Sequence, residues 1–280
     1  MGIRIITDST SDISREEGSK LNIDIIPLKV NIDGRCYTEG IDLSNEEFYE
    51  KLEQSDKLPT TSTPAPEDFL AYFEEAKVAG DHVIVITLSS GLSGTYQCAN
   101  LAKDILEYSN IHVIDSKQAT LSQMLLVKYA VQLKNEGKNT DEIVRAIEEA
   151  KEKAVLLLAL DTLHYLYKGG RLSKGASIAG NLLKIKPIIT VTDGTANLLA
   201  KSRGFKASMN TMLQLAAEHG SFDTNKPVVY GFSGNSERCE CFKEKADEAL
   251  GLKDTEIFSI GSVIGTYAGP KAYGFAFFKE

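Results

Sequence analysis

The segment Val83-Ile84-Val85-Ile86-Thr87-Leu88-Ser89-Ser90-Gly91-Leu92-Ser93-Gly94-Thr95 decides the fold. Val83–Leu88 reads as the clearest strand of the chain, and a helix from about Tyr96 to Glu107 follows the Ser/Gly loop. The same order recurs on either side. Ile3–Thr7 is a compact buried-type strand that leads into Asp8-Ser9-Thr10-Ser11-Asp12 and a polar helix near Ser14–Lys20. Ile111–Ile114 is another strand, followed by Asp115-Ser116-Lys117-Gln118-Ala119-Thr120 and a long helix to about Asn135. Strands that alternate with helices in this way imply βαβ units and a parallel sheet.

The remaining elements fill in around these. Ile23–Val30 reads as one strand ending at the turn Asp33-Gly34. Ser44 with Glu47 forms a capping box opening a helix over Asn45–Gln54. Pro59 to Pro66 is a loop, Glu67–Lys77 a helix, and Thr140 the expected N-cap of a helix reaching about Lys151. From Val155 the pattern changes. Val155–Ala159 is a strand, Leu163–Tyr167 a short helix, and Ala176–Leu183 a small-residue-rich helical run. Pro187–Thr192, Asp193-Gly194 and Ala196–Ala200 make a hairpin signal. Helices over Ala207–His219 and Glu237–Leu250 are interspersed with strands over Pro227–Phe232, Glu256–Ser259 and Tyr273–Phe278. Gly261–Pro270 reads as a Gly-rich turn. The fold class is therefore α/β, with two α/β domains. Residues 1–150 form the first, with a mainly parallel sheet, and residues 151–280 the second, with a mixed sheet.

Composition narrows the function. The chain has 280 residues, 31 basic against 39 acidic, and a net charge of −8. This argues against a general nucleic-acid or membrane-surface binder, since both need a basic footprint. The start shows no basic n-region followed by an h-region, so no signal peptide is expected. The longest strongly apolar run, Ala154–Leu160, falls far short of the ~20 residues of a spanning helix. A cytoplasmic protein without integral membrane association is expected. Cys36, Cys98, Cys239 and Cys241 have no zinc-knuckle or thioredoxin spacing and are expected to be reduced.

The chemistry gathers in loops. Asp8–Asp12, Ser89–Thr95 and Asp115–Thr120 each join a strand to a helix, so a parallel sheet would cluster them at its carboxyl edge, where open α/β folds bind ligands. Thr60, Thr61, Ser62 and Thr63 add further hydroxyls. In Ser89–Thr95, Gly91 and Gly94 let a ligand approach the backbone. Ser93 offers a hydroxyl, and the following helix N-terminus favours an anionic group such as a carboxylate or phosphate. The loop reads equally as a turn that only caps a helix. A phosphate loop would need a Lys-Ser/Thr pair at its end, but Thr95-Tyr96 follow Gly94. Gly91-Leu92-Ser93-Gly94-Thr95 misses the nucleophile elbow at its last position. His82, His112, His164 and His219 fall beside none of these loops, so Ser93 lacks a base. No His/Asp/Glu spacing argues for a metal, and no cofactor is implied. Tyr167–Lys174 and Lys201–Lys206 are local basic spots, which can meet a phosphate or an acidic partner.

These segments together resemble the DegV family. The resemblance rests on Asp8-Ser9-Thr10-Ser11-Asp12, Thr61-Ser62-Thr63-Pro64, Ser89-Ser90-Gly91-Leu92-Ser93-Gly94-Thr95-Tyr96-Gln97, Asp115-Ser116, Gly169-Gly170-Arg171, Lys186-Pro187-Ile188 and Gly265-Thr266-Tyr267-Ala268-Gly269-Pro270. They occur in family order over essentially the whole chain. The resemblance implies a bacterial protein of two α/β domains with a long-chain fatty acid between them. The carboxylate would be held by hydroxyls and the acyl chain by an apolar tunnel. It further implies a non-catalytic subunit that presents the fatty acid to a separate fatty acid kinase subunit, which makes acyl phosphate for phospholipid synthesis. Thr61, Ser62 and Ser93 would hold the carboxylate, beside Gly94 and Tyr267. Arg171 and Arg203 would face the kinase subunit. Ile178–Ile189 and Val228–Phe232 are candidates to line the tunnel. One departure stands out: Tyr267 occupies the place of a histidine in the family's late Gly-Thr-His-x-Gly pattern. Two other readings remain open. One is a regulatory binder of another small amphiphile, and the other is an enzyme of phosphoryl or acyl transfer using Ser93.

Overall fold

A computed structural model describes residues 2–173, 185–220, 222–223 and 226–280. In chain order the elements are β1 (Ile3–Asp8), α1 (Arg15–Leu21), β2 (Asp24–Ile26), β3 (Lys29–Ile32), β4 (Arg35–Thr38), α2 (Asn45–Gln54), β5 (Thr60–Ser62), α3 (Pro66–Ala79), β6 (His82–Thr87), α4 (Thr95–Leu106), β7 (Ile111–Asp115), α5 (Thr120–Asn135) and α6 (Thr140–Ala150). They continue with β8 (Ala154–Ala159), α7 (His164–Lys168), β9 (Ile185–Thr192), β10 (Thr195–Arg203), α8 (Phe205–Glu218), β11 (Val229–Phe232), α9 (Glu237–Leu250), β12 (Glu256–Ser259), α10 (Ser262–Ala268) and β13 (Tyr273–Phe278). The helical run expected at Ala176–Leu183 lies outside the described residues.

β2-β1-β6-β7 form an all-parallel sheet. Its strands are apolar without alternation because both faces are covered. Ile6, Val83 and Val85 pack with Phe69 and Phe73 of α3 and with Ala99 and Ala102 of α4. Ile5, Ile84 and Ile86 face the opposite way, onto Leu121, Met124 and Leu125 of α5 and Ile143 and Ile147 of α6. β10-β9-β8-β13-β11-β12 form a mixed sheet of six strands. Leu156, Leu158, Ala276 and Phe278 of that sheet belong to the same apolar cluster as α5. Its other face carries Leu157, Tyr230, Phe275 and Phe277 against Met209 and Met212 of α8 and Phe242 of α9. The layers thus run helix, sheet, helix, sheet, helix. α5 is the middle layer and is buried on nearly every side, including Leu121, Leu125, Leu126 and Val127. Its first half, Thr120–Val127, carries no charged side chain and is wholly buried.

A third, antiparallel sheet, β4-β3-β5, sits beside these layers. It exists because the expected single strand Ile23–Val30 breaks at Pro27-Leu28. β2 pairs with β1 in the parallel sheet, whereas β3 pairs with β4 and β5. Pro27 has no N–H to give a ladder, and Leu28 donates its own to Ser9 Oγ at 2.9 Å. β5 lies inside what reads as the Pro59–Pro66 loop, and its pairing with β3 fixes Thr61 opposite Val30.

Two local expectations are corrected. Asn139, not Thr140, caps α6, because its side chain accepts from the Glu142 amide and Glu142 returns the bond to complete a capping box. The Gly-rich Gly261–Pro270 turn is a helix, α10. Its glycines serve close packing: a Cβ on Gly265 would lie 2.5 Å from the Tyr49 hydroxyl.

Candidate functional site

A cavity opens between the segments that follow β6 and β7, the strands β5, β8, β9 and β10, and the helices α7 and α10. About 800 Å³ of non-atom space lies within it, open solvent at its mouth included. The walls are mostly aliphatic. Leu28, Leu88 and Leu92 come from one side, and Leu156, Leu158, Ile189, Val191 and Ala196 from the six-stranded sheet. α7 and α10 contribute Leu166, Val263, Ile264 and Ala268.

Polar groups enter this apolar space as one set. Thr61, Ser62 and Thr63 come from β5 and its end, Ser93 and Gly94 from the β6–α4 loop, Tyr267 from α10 and Arg171 from the segment after α7. Thr61 Oγ1 and the Tyr267 hydroxyl are 2.7 Å apart. The Arg171 guanidinium lies over the Tyr267 ring, 4.8 Å from its centroid. It also donates to the Gly169 carbonyl at 2.8 Å and the Leu92 carbonyl at 3.3 Å. Gly169 is required there, since a Cβ would lie 2.4 Å from the Tyr267 ring. Ser93 Oγ pairs with Thr95 Oγ1 at 2.9 Å. Gly94 is the N-cap of α4 and supplies no side-chain cap. The helix's first amides and its positive end therefore face the site without an acidic side chain of the cap against them.

Thr61, Ser62, Ser93, Gly94, Tyr267 and Arg171 thus line one cavity, although the sequence scatters them over more than 200 positions. Arg203 does not. It is exposed at the last position of β10, opposite Ile185. Ala196 of the same strand is in the cavity wall, so Arg203 lies roughly 20 Å further along it. Of the two segments expected to line the tunnel, Ile189 does so, Val228–Phe232 does not, and residues 178–184 lie outside the described residues. Gly91 has a different role from the expected one. Its missing Cβ makes room for the Gly194 carbonyl, which would be 2.6 Å away, and Ser89 Oγ donates to that carbonyl at 2.7 Å. The β9–β10 turn is thereby pinned to the β6–α4 loop.

The three expected ligand loops divide. Ser89–Thr95 and Asp115–Thr120 reach the cavity, the latter through Ala119 and Thr120. Asp8–Asp12 is buried and lies outside its lining. Asp8 accepts from the Leu88 amide at 2.7 Å and from Thr10. Asp12 accepts from Thr120 Oγ1 and from the Gly261 amide. Glu39, which sequence reasoning did not single out, completes this group by accepting from the Val263 amide and Ser262 Oγ. Burial pushes all three carboxyls above their usual range, Asp12 the furthest. Nothing in the sequence around Glu39 marked it, because the Ser262 and Val263 groups it accepts from are more than 220 residues away.

Among the described residues no group of three or more His, Cys, Asp or Glu is placed to hold a metal ion. No helix among them is long and apolar enough to cross a membrane.

Comparison with known proteins gives the family. A DegV domain-containing protein of Caldanaerobacter subterraneus subsp. tengcongensis is 37% identical over 278 residues, covering 99% of each chain. A fatty-acid-binding DegV family protein from Thermus thermophilus superimposes with a TM-score of 0.91 at 28% identity over 100% of both chains. The fatty acid kinase (Fak) B3 protein of Streptococcus pneumoniae, solved loaded with linoleic acid, superimposes with a TM-score of 0.87 at 26% identity, again over 100% of both chains. The DegV family model matches residues 2–280, and the chain belongs to the DegV family.

Proposed function

We propose that this protein binds a long-chain fatty acid and presents it to a separate kinase subunit, without catalysis of its own. The observation that carries the reading is the cavity: aliphatic walls with a single cluster of hydroxyls, helix amides and one guanidinium. An isolated carboxylate taken out of water must be met by hydrogen-bond donors. Thr61, Ser62, Ser93 and Tyr267 would supply O–H donors and the α4 start N–H donors, and such charge-assisted bonds are the strong kind. The acyl chain would occupy the aliphatic part, contributing about 0.8 kcal/mol per buried methylene. The fatty acids bound by the Thermus and Streptococcus relatives support the ligand class. The kinase connection rests on the Streptococcus protein being a fatty acid kinase component.

In this reading residues 1–150 and 151–280 are the two walls of the pocket, and the protein works in the bacterial cytoplasm in phospholipid metabolism. Arg171, at the cavity mouth, and exposed Arg203 face the kinase subunit. Organic extraction of the purified protein followed by mass spectrometry tests the ligand. One fatty acid per chain, or its uptake on loading, is the expected result. A protein that carries none and takes up none removes the reading.

A further inference from the structure

The buried polar segment Asp8–Asp12 does not line the cavity, yet it bears on it through α10. Asp12 Oδ1 accepts the Gly261 amide at 2.8 Å, and Glu39 Oε1 accepts the Val263 amide at 2.7 Å and Ser262 Oγ at 3.0 Å. These bonds join positions 249 and 224 residues apart in sequence. α10 has no side-chain cap of its own at Gly261, so these carboxyls meet the first amides of a buried helix end. A buried amide left without an acceptor is costly. Along its side, α10 is pressed against Tyr49 and Phe48, with no space for a Cβ on Gly265. The Tyr49 hydroxyl donates to the Ile260 carbonyl at 2.9 Å. The helix is therefore fixed at its amino end and flank, while Tyr267, about 6 Å further along its axis, reaches the Thr61 hydroxyl. Thr120 extends the same chain of contacts. It lines the cavity, donates to Asp12 and holds φ at 51°, a strained value for a β-branched residue.

We propose that Glu39 and Asp12 are positioning residues of the head-group site: by accepting the first amides of α10, they set where the Tyr267 hydroxyl stands. The inference deepens the fatty-acid reading and rests on it. What the positioning needs is an acceptor oxygen at each amide, not a charge. Burial holds the Glu39 carboxyl above its ordinary range, and a protonated acid still accepts through its other oxygen. Glutamine at position 39 would keep the acceptor, and methionine of similar length would remove it.

The test compares palmitic acid with 1-hexadecanol, which share a chain and differ in the head group. Wild type should prefer the acid. Glu39→Met should lose roughly tenfold in palmitate affinity, as expected for one hydrogen bond to a charged group, and leave hexadecanol binding unchanged. Glu39→Gln should restore the preference. Tyr267→Phe should cause the same loss, and adding Glu39→Met to it should cost nothing more, since both act on one contact. If acid and alcohol affinities fall together, or if the two losses add, the inference is overturned. A wild type with no preference for the acid removes the fatty-acid reading and this inference with it. A wild type that prefers the acid beside a Glu39→Met variant that still does removes only the positioning role. Should Glu39→Met fail to fold, Asp12→Gly replaces it, because glycine accepts the left-handed φ of 56° there and withdraws the acceptor from Gly261.

Discussion

The Tyr267 hydroxyl and Thr61 Oγ1 lie 2.7 Å apart, bridging 206 residues of sequence and joining α10 to β5 across the mouth of the cavity. Two hydroxyls in mutual contact hold two protons and need only one between them. The second is free to point at an acceptor in the cavity. A tyrosine there donates as a neutral group, so this contact needs no imidazolium.

The first prediction concerns that donor set. Thr61→Ala combined with Ser93→Ala should weaken fatty-acid binding by about 3–6 kcal/mol, from two hydrogen bonds to a charged group at about 1.5–3 kcal/mol each. Titration calorimetry with a soluble fatty acid reads the change. Unaltered affinity would take the carboxylate away from these hydroxyls.

Gly169→Ala should disturb the site from behind. The new Cβ would meet the Tyr267 ring at 2.4 and 2.6 Å and the Tyr165 carbonyl at 3.0 Å. Overpacking of this kind costs about 1–3 kcal/mol. The Arg171–Tyr267 stacking would move with it. Thermal denaturation should show a lower Tm, and the near-ultraviolet tyrosine signal should change.

Chain-length preference should respond to Ala196, a small residue in the cavity wall. Ala196→Leu puts three more carbons into that space. Each methylene of ligand it excludes forfeits about 0.8 kcal/mol. Competition between fatty acids of increasing length should then shift toward shorter chains. An unchanged order would mean the acyl chain runs elsewhere.

Stability should depend on pH through Glu39 with an unusual sign. Burial raises its carboxyl above the ordinary range in the folded protein. The native state therefore binds more protons than the unfolded chain between the two pKa values, and stability falls as pH rises through that window. Below the unfolded value the contribution is fully present. Glu39→Gln removes this titration. The Tm of the variant minus that of wild type should therefore increase from acidic toward neutral pH. A constant difference would show that Glu39 titrates normally.

Much of the architecture was legible in local sequence. The strands β6 and β13 are continuous apolar runs, and the Ser44–Glu47 capping box starts α2 where expected. Thr61, Ser62 and Ser93, which the structure brings to one cavity, stood out in the sequence because each lies in a segment rich in Ser, Thr and Gly. What stayed hidden depends on distant partners. β5 became a strand only because β3 leaves the parallel sheet after Pro27. α10 is helical despite one internal and two flanking glycines, with Asp12 and Glu39 accepting its first amides. Gly91 looked like room for a ligand and instead holds the Gly194 carbonyl. No spacing within one segment reports a contact made more than a hundred residues away.

The burial of α5 has a mechanical consequence. Its side chains pack on Ile84 and Ile86 of one sheet and on Leu156 and Leu158 of the other, within a single cluster. Swinging the two halves apart like a clamshell would strip this helix of packing on one side, and each Leu laid bare would forfeit about 1.5–3 kcal/mol. The helix is an axle shared by both sheets rather than a hinge between them. A change of shape that kept this packing would leave both sheets seated on α5.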